Sequence, residues 1–579
     1  MSENIDQKDG MWIQWDVSIT MDDGLVLKAD VFRPSKEGRY PVILTYGPYA
    51  KGLPFQTGYP SCWQRMEREH PDVTRGSSNK YQNWEVVDPE KWVPHDYVCV
   101  RVDSRGCGRS PGYLQHFSPR EIQDFYDCIE WAGTESWSNG KVGLSGVSYY
   151  AMAQYPVASR QPPHLAAIVA WEGSADWYRD ATHHGGIMST FWANWYDMQV
   201  KTIQHGWGER GDVNPNTGEL ISGPVTMSED DLQRNRTDFG SEIINHPLID
   251  YYYKERAPDW DKVEVPMLTA ANWGGQGLHL RGNTEAYVRA ASKEKWLEIH
   301  GIEHWTEFYT DYGVELQRRF LDYYLKGENN GWDEQPSVQL QIRTLNGFIQ
   351  RHETEWPIGR TTWTRMYLDT NNQSLIDSPP PDCQISYSAK GDGVSFYSRS
   401  MSEDTEVTGP SSLKLFISSE TIDADIFVVL RVFSPEDSEV VFQGAIDPHT
   451  PIGQGWLRAS HRKLDTTLST DYRPYHTHDE KQLLVPGDIY ELDVEIWPTS
   501  IVIPKGYRLA ITIRGSDYEY PGDTGGAKLS NFKNELKGCG PFLHDDPRDR
   551  PPDIFGQNVT IYSGESSPSS VLIPIIPKI

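Results

Sequence analysis

The stretch Lys141-Val142-Gly143-Leu144-Ser145-Gly146-Val147-Ser148-Tyr149-Tyr150-Ala151 reads as a strand that turns at once into a helix. Lys141 to Leu144 supplies the strand, Gly146 marks the turn, and the helix starts at Tyr149. A serine at such a junction sits on a sharp, strained bend, where small neighbours let strand and helix pack close. The bend drives the hydroxyl out of the sheet at a helix N-terminus, where the backbone N–H of Tyr149 can meet an oxyanion. Two serines compete. Ser148 follows Gly146 by two positions, precedes Ala151 by three and stands at the helix start. It is preferred to Ser145, which lies inside the turn. The strict G-x-S-x-G pattern is broken, because Tyr150 replaces the second glycine. The competing, less favoured reading is an ordinary strand–helix turn with an N-capping serine.

Around this segment, strand and helix signals alternate. RYPVILTYGPYA (39–50) and DYVCVRVDSRGCGRSPG (96–112) each carry an apolar strand followed by a glycine-containing loop. REIQDFYDCIEWAGTE (120–135) is amphipathic, with Ile122, Phe125, Tyr126, Ile129 and Trp131 on one broad stripe. HLAAIVAWEG (164–173) is the next strand. Apolar strands alternating with helices predict a parallel sheet covered on both faces. From 174 to 259 the pattern breaks into aromatic and polar stretches, as expected of a helical insertion. It resumes with VPMLTAANWGG (265–275), KWLEIHGIEHW (295–305) and a helix over 311–326. Beyond about 350, short alternating strands such as SLKLFISS, DIFVVLRVFS, YELDVEIWP and YRLAITIRG predict an all-β sandwich or jelly roll.

The 579 residues suffice for several cores. Lys+Arg of 54 against Asp+Glu of 82 leaves a net charge of −28, which disfavours nucleic acid and anionic membranes as partners. The N-terminus lacks the cationic and apolar regions of a secretory signal, and no apolar run is long enough to span a membrane. The six cysteines are scattered, with no C-x-x-C, as in a reduced, cytoplasmic protein. Neither Gly106-Cys107-Gly108 nor the GGQG run at 274–277 has the spacing of a phosphate or dinucleotide loop. No cofactor and no metal are expected.

GVSYYA resembles the G-x-S-Y-x-G/A elbow of the cocaine esterase and X-prolyl dipeptidyl-peptidase family of serine hydrolases. DGLVLKADVFRP (23–34) is similar to that family's opening strands, GPYAKG (47–52) to its oxyanion-tyrosine segment, and VDSRGCGRSPG to its D-x-R-G-x-G-x-S-x-G loop. The likeness covers essentially the whole chain. It implies an α/β-hydrolase domain with an inserted helical cap, followed by an all-β jelly-roll domain. The corresponding boundaries are 1–173 and 260–345 for the hydrolase core, 174–259 for the cap and 350–579 for the jelly roll.

The resemblance also implies that Tyr49 donates its hydroxyl to the oxyanion beside the Tyr149 N–H. A serine nucleophile needs an imidazole base from a late loop. His304, just after the strand Lys295–His300, is the candidate, and His300 is the competitor inside the strand. The family places its triad aspartate in a G-W-x-D segment, but here Ala271-Asn272-Trp273-Gly274-Gly275 puts Gly274 at the carboxylate position. Glu172, at the end of the strand LAAIVAW, is the preferred substitute and Asp176 the second choice. Glu303 adjoins His304 too closely to turn back on its ring. Trp171, Trp177, Trp192 and Trp195 are expected to line a hydrophobic substrate pocket. The expected activity is hydrolysis of a small aromatic or hydrophobic ester or amide through an acyl-enzyme. The alternatives are an acyltransferase or a catalytically altered binding protein, given Gly274. An X-Pro peptidase is disfavoured, because the sequence offers no carboxylate set for a substrate ammonium. The expected partner is a small molecule, and a homodimer is left open.

Overall fold

Apolar strands buried on both faces demand helices on either side, and the first part of the chain is built that way. The computed structural model describes residues 5–529 and 534–578. Its first sheet has 11 strands. They are β1 (Ile5–Lys8), β2 (Met11–Thr20), β3 (Val26–Pro34), β4 (Tyr40–Gly47), β5 (Val98–Asp103), β6 (Ser138–Val147), β7 (Leu165–Trp171), β8 (Met267–Asn272), β9 (Lys295–His300), β10 (Val338–Thr344) and β11 (Gly347–Glu353). Their spatial order is β1-β2-β3-β5-β4-β6-β7-β8-β9-β10-β11. Every pairing from β5 to β10 is parallel. The pairings at the two margins are antiparallel. Every residue of β5 and β8 is buried.

Parallel order brings the ends of β4, β6, β7, β8 and β9 to one edge, where open α/β sheets bind their ligands. The amphipathic segment forms helix α1 (Pro119–Thr134), which buries Ile122, Phe125, Cys128 and Ile129. Ser118 caps it by accepting from the Glu121 N–H. The elbow feeds helix α2 (Tyr149–Met152). Between β7 and β8 the chain leaves the sheet for short helical turns, among them Phe191–Trp195, Glu229–Arg234 and Phe239–Asn245. Helix α3 (Leu280–Arg289) follows β8, and α4 (Asp311–Leu321) follows β9.

The first sheet runs beyond the expected limit of 345. β11 folds back on β10, with Thr344 opposite Gly347, and extends the sheet to Glu353. The remainder forms a second sheet of 12 strands with a barrel-like ladder. Its longest strand, Thr405–Ser419, pairs antiparallel with Tyr490–Ile503, Asn558–Ser563 and Ser570–Ile576. The segment SLKLFISS is only part of this strand. An irregularity between Gly409 and Ser411 lets the strand bend and continue.

The two sheets are joined by buried polar contacts. Arg343 of β10 donates to Ser500 O, Ile452 O and Thr499 Oγ1 at 2.7, 2.9 and 2.8 Å. Arg281 bridges Asp180 and Glu495 at 2.8 Å each. Among the described residues, no helix is long and apolar enough to cross a membrane.

Candidate active site

Ser148 stands immediately after β6, at φ 58° and ψ −116°. A non-glycine residue in that region stores roughly 1–3 kcal/mol of strain and persists only where packing enforces it. The enforcement is visible at Gly146, where a Cβ would lie 2.4 Å from Tyr150 Cβ. Tyr150 can replace the elbow's second glycine because Gly47 makes room for its ring: a Cβ there would meet Tyr150 Cε1 at 2.7 Å. As the first residue of α2, Tyr149 carries a backbone N–H that its own helix cannot satisfy. Its phenol points elsewhere, donating to Glu121 at 2.6 Å. Ser145 is turned away and donates to Gln317 at 2.9 Å.

Glu172 caps the neighbouring strand in the same way, at φ 45° directly after β7. Parallel register sets Val147 beside Trp171, so Ser148 and Glu172 emerge side by side. Each oxygen of Glu172 takes one imidazole: His304 Nδ1 at 2.7 Å and His300 Nε2 at 2.8 Å. His300 in turn meets Glu298 through Nδ1 at 2.7 Å. All four side chains are buried. Burial alone would push Glu172 towards its neutral form. The charges of His304 and His300 and their hydrogen bonds overrule it and hold the carboxyl near 2. Burial likewise opposes charge on His304, but Glu172 and then Glu85 raise the ring to about 10.

Gly274 is packed directly against the second domain. A Cβ there would lie 2.3 Å from Gly444 Cα and 2.8 Å from Ala445 N. Ala445 N–H donates to Gly274 O, and Ala445 O accepts from His304 N–H, both at 2.9 Å. The loop of the β domain thus leaves no room for a side chain at 274, and it also holds the histidine backbone. Asp176 does not approach the site. It caps the next helical turn, accepting from the Tyr178 and Arg179 N–H groups, and pairs with Arg179. Glu303 turns outward to Arg65 at 2.7 Å.

The cavity over Ser148 is lined by Tyr49, Tyr59, Trp84, Glu85, Trp192, Trp195 and His304, with Ile446 and Leu529 from the second domain. Trp171 and Trp177, expected at the pocket, are not among its lining residues. Trp171 is fully buried, its ring stacked on His300 with centroids 5.4 Å apart. Trp177 packs behind Trp192 and against Phe117, at 4.7 Å each. Tyr49 Oη accepts from Trp195 Nε1 at 3.0 Å, which leaves its own proton available. Burial, and then the charge of Glu85, raises this phenol well above its usual range, so it remains a donor.

Two residues escaped sequence reasoning. Glu85, at φ 63°, reaches His304 Nε2 with Oε1 at 3.0 Å. Its Oε2 is buried without a hydrogen-bond partner among the described residues. Burial lifts it to about 7 against the pull of His304. His279 places Nε2 3.1 Å from Ser148 Oγ. In this structure the side-chain partner of Ser148 is His279, not His304, whose ring lies alongside at a centroid distance of 5.4 Å. Nothing along the chain marks either residue, because each is brought in by a loop distant in sequence.

Residues 23–306 match the X-Pro dipeptidyl-peptidase (S15 family) profile, and residues 330–547 match the X-Pro dipeptidyl-peptidase C-terminal non-catalytic domain. Cocaine esterase from Rhodococcus sp. is 22% identical over 647 residues, covering 97% of this chain and 98% of that protein. The Xaa-Pro dipeptidyl-peptidase of Streptococcus gordonii is 20% identical over 580 residues, covering 86% of this chain and 72% of that one. The crystal structure of a CocE/NonD family hydrolase from Staphylococcus aureus is 31% identical, with a TM-score of 0.81 over 98% of this chain and 94% of that chain. The chain therefore belongs to the cocaine esterase and X-Pro dipeptidyl-peptidase family of serine hydrolases, with a hydrolase domain and a C-terminal non-catalytic β domain.

Proposed function

We propose that this hydrolase cleaves a carboxylic ester or amide of a small, hydrophobic or aromatic substrate through an acyl-enzyme. Ser148 Oγ bonds to the substrate carbonyl carbon while its proton passes to His304 Nε2, once Glu85 has turned off that nitrogen and taken the proton the two share. The carbonyl π-bond becomes an oxyanion, which accepts from the Tyr149 N–H and the Tyr49 hydroxyl. Collapse breaks the bond to the leaving group, which takes the proton from His304 and leaves Ser148 acylated. Water then repeats the sequence: its proton goes to His304, its oxygen bonds to the acyl carbon, and the Ser148 ester bond breaks with return of the proton. Glu172 keeps the His304 proton on Nδ1 and stabilises the imidazolium.

One observation carries this reading: the strained Ser148 opens into the aromatic cavity that also holds the His304–Glu172 pair. Gly274 is the ground for the alternatives, an acyltransferase or a catalytically altered binding protein; Glu172, 2.7 Å from His304 Nδ1, supports the hydrolase instead. Trp192, Trp195 and Tyr59 favour a flat apolar acyl group. We read the β domain as a jelly roll, supported by the curled ladder around Thr405–Ser419. A cytoplasmic setting is supported by six unbridged cysteines. The test is labelling by a fluorophosphonate, combined with a screen of nitrophenyl esters and anilides of varied acyl size. Wild-type protein should label at Ser148 and turn over esters, and Ser148→Ala should do neither. Equal labelling of both proteins would reject the reading.

A further inference from the structure

Ser148 touches an imidazole that the reaction outlined above does not use. His279 ends the loop after β8, and its ring is wholly buried. Its Nε2 is 3.1 Å from Ser148 Oγ. Its Nδ1 faces Ser174, whose backbone N–H points at that nitrogen from 3.0 Å. A backbone N–H can only donate, so Nδ1 must carry a lone pair. Ser174 Oγ also lies 2.8 Å from Nδ1 and 2.7 Å from Leu278 O. Burial, reinforced by the charge of His304, drives the His279 ring well below the usual histidine range. A neutral ring with a bare Nδ1 carries its proton on Nε2.

The contact between His279 and Ser148 is then N–H to oxygen. A ring that donates to Oγ cannot take the hydroxyl proton from it. His304 has the opposite arrangement: Nδ1 faces the Glu172 carboxylate at 2.7 Å, so Nε2, which meets Glu85 in this structure, is the nitrogen able to receive a proton once Glu85 turns away. The imidazole on Ser148 is therefore of opposite sense to the one lying alongside it, with ring centroids 5.4 Å apart.

We propose that His279 is a second catalytic histidine, a neutral donor whose Nε2–H holds Ser148 Oγ, turns its hydroxyl proton away towards His304, and stabilises the charge that grows on Oγ. This rests on the serine-hydrolase reading above. His279 exchanges no proton during turnover. Its N–H is in place when Ser148 Oγ attacks and again when that oxygen leaves the acyl carbon. A preorganised donor in a buried site contributes on the order of 10²-fold to the rate.

The test compares His279→Ala with His279→Gln, whose side-chain amide can still donate, using fluorophosphonate labelling and nitrophenyl-ester turnover across pH. Alanine should slow both by about 10²-fold, and glutamine should recover at least tenfold of that loss. The acid limb of the pH profile should stay where it is, because no titrating group is removed. Glutamine no better than alanine, a lost acid limb, or an alanine variant as fast as wild type would each overturn the proposal. Nitrogen-15 histidine spectra of the intact wild-type protein give a reading that no folding defect can blur. They should show one ring fixed as the Nε2–H tautomer from roughly pH 6 to 9, assigned through its absence in His279→Gln. A ring that titrates in that range, or one protonated on Nδ1, would refute it. If Ser148→Ala still labels, it is the hydrolase reading that fails, independently of the His279 variants.

Discussion

Replacing Glu172 with glutamine removes the charge that orders the buried imidazoles while nearly preserving shape. The carboxyl is held near 2, against an ordinary value of 4.5. At 1.36 kcal/mol per pKa unit, that difference is worth about 3 kcal/mol of folding stability at neutral pH. Seen from His304, raised from 6.5 to about 10, the interaction is worth about 5 kcal/mol. The larger figure includes Glu85, which bonds the other ring nitrogen. Because the carboxyl is depressed on folding, its contribution is complete above about pH 4.5 and is lost as pH falls through about 2. Glu172→Gln should therefore cost about 3 kcal/mol near pH 7, and roughly half of that or less near pH 3. The catalytic loss depends on which way the amide faces. With its oxygen on His304, its NH₂ meets His300 Nε2, and His300 keeps its proton on Nδ1 towards Glu298. Geometry then survives and only charge stabilisation is lost. With the NH₂ on His304, the ring is locked in the wrong tautomer, a fault that costs about 10⁴-fold in a related triad. The expected fall in kcat/KM is thus between about 10²- and 10⁴-fold, read with a nitrophenyl ester alongside thermal melts at both pH values. Turnover within twofold of wild type would refute Glu172 as the orienting acid. A stability gap that persists unchanged at low pH would refute the electrostatic account.

Gly274→Asp should not restore the aspartate usual in the family: with Gly444 Cα 2.3 Å from the new Cβ, it should destabilise the fold by about 1–3 kcal/mol or more, read as a lower melting temperature, and reduce turnover. Tyr49→Phe should leave the fold intact and lower kcat by about 10²-fold, measured on the same esters. Glu85→Gln removes one of the two carboxylates that favour the His304 imidazolium, so the ring should lose its proton at lower pH. The acid limb of kcat/KM should move to lower pH, and a limb that stays put would show that Glu85 does not govern this histidine.

What could be read along the chain is what local geometry dictates. Gly146, Ser148 and the apolar residues around them form a strand, a bend and a helix within one short segment, so the elbow was legible. The alternation of β4, β5, β6 and β7 with helices is also periodic in sequence, and so was the parallel sheet. The strand ends then nominated Glu172 and His304. The exact length of Thr405–Ser419 was not legible, because a bulge interrupts the alternation that marks a strand. The pocket aromatics were only half legible: all four tryptophans are apolar and buried, and sequence cannot say which face a cavity and which, like Trp171, support a histidine from behind.

The bend at Ser148, the α/β pattern and the glycine at 274 follow from local sequence. What surrounds that glycine comes from packing between remote segments. Parallel register sets Glu172 beside Ser148, and a loop of the β domain packs directly on Gly274. Chain segments remote from the elbow bring Glu85 to His304 Nε2 and His279 to Ser148 Oγ. Those placements depend on packing between elements far apart in the chain, and hydrogen-bond partners chosen at that range leave no periodic trace in the sequence.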